Sequence, residues 1–127
     1  MSKQPAARDD IDTQPLLDAS VLKQLHELDD DGQFAKQLIQ TFARDAKTYL
    51  KDILKTSDRG DVVNWRHACH NIASAAGSVG ASRLSQHCRS LLTDKAPASA
   101  EDFERADQRT KQLHSDTIAA LVEKGLL

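Results

Sequence analysis

Long apolar runs are missing from this 127-residue chain, and no stretch approaches the roughly 20 consecutive apolar residues of a membrane span. A charged n-region leading into an apolar h-region is missing too, so the chain is expected to work in the cytoplasm and off the membrane. Aromatic residues are few, at 4%, and no segment alternates apolar and polar side chains with the period of two that half-buried strands need. Neither charge sign dominates: 17 Lys+Arg stand against 19 Asp+Glu, for a net charge of -2. That balance leaves no concentrated basic face and excludes nucleic acid as the main partner. Cysteine is scarce as well. Cys69 and Cys88 do not form a CxxC pair, and two buried, reduced thiols are expected rather than a disulfide or a redox centre.

What is present is helical from Pro15 onward, in a chain of the right length for one domain with its own core. Residues 1–14 are polar and aperiodic, which predicts a flexible tail or linker ahead of a domain over 15–127. Val21, Leu22, Leu25 and Leu28 form a short apolar stripe whose start Asp18 or Ser20 is placed to cap. After the DDDG turn, a longer stripe runs through Phe34, Ala35, Leu38, Ile39, Phe42, Ala46, Tyr49, Leu50 and Ile53 with the helical period. The SDRGD turn follows, and Asp61 is placed to cap a third helix, which Gly80 ends. Leu84, Cys88, Leu91 and Leu92 share one side of a fourth. Ser99 and Asp102 resemble a capping box opening a last helix that carries Phe103, Thr110, Leu113, Thr117 and Leu121. The predicted fold is all-α: an antiparallel four-helix bundle with an additional short N-terminal helix.

The segment HACHNIASAAGSVGA at 67–81 carries two histidines and little bulk after them. At about 100° per residue, Trp65, Ala68, Cys69, Ile72, Ala76 and Val79 fall on an arc centred opposite His70. Arg66, His67, Ser74 and Gly77 flank His70 on the polar face, with Ala73 at the edge. A surface histidine among small neighbours is often an accident of composition. Gly77, however, costs about 1 kcal/mol relative to alanine within a helix, and nothing in the local pattern compensates. That favours a face kept low for a docking partner.

These residues resemble the signature of histidine-containing phosphotransfer (HPt) domains. In that pattern a histidine is followed by an apolar residue at the second position, then a lysine, a glycine, small residues, and an apolar-Gly-Ala break. His70, Ile72, Ala75, Ala76, Val79, Gly80 and Ala81 fit it. Leu84, Cys88 and Leu91 fit the family's next helix, Asp61 its turn-ending aspartate, and Leu17-Asp18 its common start, so the likeness extends from about Leu17 to Leu121. The resemblance implies a bundle with an extra N-terminal helix and a monomer. It also implies a shuttle in a multistep phosphorelay, fed by a hybrid sensor histidine kinase. His70 would accept a phosphoryl group from the aspartyl phosphate of a response-regulator receiver domain and pass it to another. No cofactor is implied for this chain, since Mg²⁺ belongs to the receiver. A neutral imidazole suits the task, because a ring nitrogen is free to attack phosphorus, and phosphoryl transfer needs chiefly positioning and charge neutralisation.

Two positions depart from the pattern: the family's lysine is Ala73 and the glycine after it is Ser74. Loss of the lysine predicts a less stable phosphohistidine, and it supports an alternative in which the chain docks receiver or kinase domains without passing phosphate. Arg66 lies upstream and leans away from His70, whereas Ser74 leans toward it and is expected to bond the carbonyl of His70. The receiver docking face expected is therefore Arg66, His67, Ala73, Ser74 and Gly77 around His70. His67 is a rival acceptor, but the small-residue floor and the Gly80-Ala81 break keep register with His70. A metal site from His67, His70, His87 and Cys88 is disfavoured, because Cys88 belongs to an apolar stripe and no carboxylate pair completes a ligand set.

Overall fold

The computed structural model describes residues 11–127, and among them there is no strand. The helices lying wholly among the described residues are α1 (Ala19–His26), α2 (Gln33–Asp58), α3 (Val62–Ser78), α4 (Ser82–Thr93) and α5 (Ala100–Glu123), and residues 11–13 are helical as well. Each of α2 to α5 packs on the next in chain order, and α5 packs back on α2, which closes an antiparallel four-helix bundle. α1 lies against α2 as the additional helix. Among the described residues no helix is long and apolar enough to cross a membrane.

Local chemistry starts each helix where the sequence signals it. The Asp18 carboxylate accepts from the backbone N–H groups of Ser20 and Val21. Asp61 accepts from the Asn64 N–H at 3.2 Å and from the Asn64 side-chain amide at 2.7 Å, and these bonds hold its carboxyl below the usual range. Ser99 accepts from the Asp102 N–H at 3.2 Å, while Asp102 accepts from the N–H of Ala98, one residue earlier than a strict capping box.

The core holds the stripes named above, from Leu22, Ile39, Phe42, Ala46 and Ile53 to Leu84, Cys88, Leu113 and Leu121. Trp65 is its largest buried side chain and meets Phe103 edge to face, with ring centroids 5.4 Å apart. Three buried polar groups escape a reading by periodicity. Asp107 accepts from Trp65 Nε1 at 3.0 Å and from the Ser57 hydroxyl. His87 Nε2 bonds the Thr110 hydroxyl at 2.9 Å, and Ser85 donates to the Ala73 carbonyl at 2.8 Å. Burial raises the Asp107 carboxyl pKa despite the two donors. Both cysteines are free and buried; burial pushes the Cys69 thiol up to about 12 and the Cys88 thiol well above its ordinary value.

The elements depart from their predicted extents in three places. Leu28 lies beyond the end of α1 and is 64% exposed, and Phe34, in the first turn of α2, is 46% exposed. Leu28 follows the last turn of α1, and Phe34 faces solvent beside Ala35, which is fully buried. Of the tail expected over 1–14, residues 1–10 lie outside the described residues, and 11–14 rest on the bundle. Ile11 is 5% exposed, Asp12 pairs with Arg109, and Arg83 Nε donates to the Gln14 carbonyl at 3.0 Å.

Gly80 joins α3 to α4 with φ 78°. A β-carbon there would meet the Asp18 carbonyl oxygen and Val21 Cβ at 3.1 Å each, and the Asp18 N–H donates to the Gly80 carbonyl at 2.7 Å. Glycine is required twice over, by conformation and by the close approach of α1.

Candidate functional site

His70 stands nine residues beyond the Asp61 cap, midway along α3, and is exposed with no hydrogen bond to the rest of the described chain. His67, Ser74 and Gly77 are exposed around it, and Arg66 is half-buried. α3 is fixed on its other side by Trp65, Ala68, Cys69, Ile72, Ala76 and Val79, all buried. The imidazole is thus carried on a helix clamped between α2 and α4, without being engaged itself.

Ala73 does not belong to the exposed face. It is 2% exposed and sits in the core cluster. The buried arc of α3 is rotated by about 50° from the position opposite His70, toward α4. Ala73 therefore falls beneath α4, where the Ser85 hydroxyl bonds its carbonyl, and the open face is centred near Ser74 and His67, with His70 on its α4 side. A wheel drawn from one helix could not place α4 to one side.

The Ser74 hydroxyl also departs from expectation. It makes no bond to the His70 carbonyl and has no partner among the described residues, so it is free beside the imidazole. Arg66 is committed elsewhere. Its Nη2 donates to the Asp94 carbonyl at 3.1 Å, at the C-terminal end of α4, while its buried Nε lacks a partner. Gly77 has a packing reason that sequence does not reveal. A β-carbon there would meet Ser85 Oγ at 3.3 Å and Arg89 Nη2 at 3.7 Å, so two side chains of α4 lie over it. Arg89, which the sequence reading omitted, thereby joins this face; only the antiparallel pairing of α3 with α4 brings it there.

The metal grouping separates in space, since His67 and His70 face solvent while His87 and Cys88 are buried. Among the described residues no cluster of three or more His, Cys, Asp or Glu is arranged to hold a metal ion. A cleft of about 610 Å³ lies where α4, the 94–98 loop and α5 meet Ile11, and His70 does not line it. The arrangement around His70 is an exposed imidazole on an open helix face rather than a group in an enclosed pocket.

That combination, a bundle displaying an unengaged histidine from the middle of a clamped helix, is the design of a phosphotransfer domain. The sequence matches the Hpt domain family over residues 37–122, and the chain belongs to that family. Among solved structures it is similar to histidine-containing phosphotransfer protein B (HptB) from Pseudomonas aeruginosa PAO1. The two share 23% sequence identity and a TM-score of 0.71, over 87% of this chain and 94% of that one. No curated protein matches the chain.

Proposed function

We propose that His70 is the phosphoacceptor of a phosphorelay, taking a phosphoryl group from the aspartyl phosphate of one receiver domain and yielding it to the aspartate of another. In the first transfer a ring nitrogen forms an N–P bond as the acyl P–O bond breaks, which regenerates the aspartate carboxylate; the imidazole's N–H proton is released to solvent. The second transfer reverses these bond changes on a new carboxylate. Mg²⁺ enters with the receiver, and this chain supplies the nucleophile, its rigid mounting and the docking surface. The observation that carries the reading is the exposure of His70 without any bond to the fold, on a helix whose opposite face is wholly committed to the core.

The docking surface proposed is His67, Ser74, Gly77 and the outer part of Arg66, with Ala73 removed from it by its burial. A second reading, receiver docking without transfer, draws on one specific feature: the lysine position of the family is an uncharged, buried alanine. One assay separates the two. The chain is mixed with each phosphorylated receiver of its source organism carrying radiolabelled aspartyl phosphate. Acid-labile label on the wild type and on His67→Gln, lost in His70→Gln, is the expected result. Tight receiver binding with no label favours docking alone, and label persisting in His70→Gln overturns the assignment of the acceptor.

A further inference from the structure

A phosphoryl group on an exposed imidazole is an oxyanion that neighbouring cations stabilise. α3 itself and α4, the helix facing its His70 stripe, contain three arginines, Arg66, Arg83 and Arg89, and no lysine; the exposed lysines of α2 belong to the neighbour on the other side of α3. Arg66 and Arg83 are tied to backbone carbonyls, of Asp94 and Gln14 respectively, and both point away from His70. Arg89 is exposed and is held only by a long bond, 3.4 Å, from its Nε to the Ser85 hydroxyl.

The register of the helix pair decides where Arg89 stands. Ser85 reaches Ala73 and Arg66 reaches Asp94, so in this antiparallel pair Arg89 lies level with His70 on the adjoining helix. Residues Arg66, His70, Ala73 and Gly77 form the stripe of α3 nearest α4, as the i, i+4, i+7 and i+11 positions of one helical face. In the unphosphorylated chain the Arg89 side chain leans toward the start of its own helix, as helical side chains do, and its Nη2 rests over Gly77. Its backbone is beside His70 while its charge is parked about two turns away, along open surface that Ser74 and Gly77 keep low.

We propose that Arg89 is the phosphoryl-binding cation of this site, its guanidinium leaving the Ser85 hydroxyl to bond the phosphoryl oxygens once His70 is modified. It replaces, from α4, the charge that Ala73 does not supply from α3. The inference rests on His70 as the acceptor, and its test keeps the two apart.

Phosphoramidate serves as the probe. A ring nitrogen attacks phosphorus, the P–N bond of the reagent breaks, ammonia leaves, and the imidazole's N–H proton passes to water. ³¹P NMR then follows the pH titration of the phosphoryl group on His70 in the wild type, Arg89→Gln, Arg89→Lys and Arg66→Gln, with His70→Gln identifying the resonance. A nearby cation favours the dianion, so Arg89→Gln is expected to raise the titration midpoint by on the order of half a unit to one unit. Arg89→Lys should fall between the two, and Arg66→Gln should match the wild type. A resonance assigned to His70 whose midpoint is unchanged in Arg89→Gln overturns the role of Arg89 and leaves His70 as acceptor. A wild type with no resonance assignable to His70 overturns both.

Discussion

The two faces of α3 treat polar groups in opposite ways. Toward α5, Trp65 donates to Asp107, which also accepts from Ser57, and His87 on α4 bonds Thr110, so these buried polar groups are matched to one another. Toward solvent, His70 and Ser74 have no partner among the described residues. Both faces ride on the same 17-residue helix, Val62–Ser78. Groups spent on one another fix the scaffold; groups left unspent remain available to a visitor. Stability and reactivity should therefore be separable by mutation.

The largest stability change is expected at Asp107. Asp107→Ala strands the buried Trp65 indole N–H, while the Ser57 hydroxyl keeps the Ile53 and Leu54 carbonyls as acceptors, and should lower the unfolding free energy by about 3 kcal/mol, read from urea denaturation. The same residue provides a pH signature. Its carboxyl has a raised pKa, so the folded state holds a proton that the unfolded state has already lost. Its contribution to stability is therefore fully present below the unfolded value of 3.8 and declines as pH rises through the raised folded value. In Asp107→Asn this decline should vanish from the stability–pH profile, with the separate rise from the lowered Asp61 and Asp102 carboxyls left in place.

Next comes Gly80→Ala, which forces a side chain into positive φ and against α1. A loss of about 2 kcal/mol is expected, together with faster amide exchange across α1, where the Asp18 N–H bond to the Gly80 carbonyl would be disturbed. Ser99→Ala should cost about 1 kcal/mol by leaving the first turn of α5 uncapped. The smallest effect on folding is expected where the effect on transfer is greatest. His70→Gln should stay within about 0.5 kcal/mol of the wild type in denaturation while losing all acid-labile label. A His70→Gln protein destabilised as much as Asp107→Ala would erase the contrast between the two faces.

Sequence alone revealed the parts of this structure that local chemistry determines. Asp18, Asp61 and Ser99 cap the helices they were assigned to, and the apolar stripes of α2 and α5 are buried where the helical period put them. His70 was legible as exposed because α3 has one clear apolar arc. What escaped depends on neighbours. Ala73 went from edge to core because α4 leans on that side of α3, a fact that no single-helix projection contains. Arg89 was passed over because it lies 19 positions downstream on another helix, and only the turn at Gly80 returns it to the site. Asp107 reads as one more surface acid in a polar helix until Trp65 is seen to need its oxygen. Leu28 falls after its helix has ended, and Phe34 faces solvent while its neighbour Ala35 takes the buried position.

The depth of the two thiols has a practical corollary. With Cys69 and Cys88 sealed in the interior and held in their protonated forms at neutral pH, alkylating dyes will bypass both. A probe attached through Gln86→Cys, on the exposed side of α4, would report the arrival of a receiver domain without first stripping the native sulfurs from the protein.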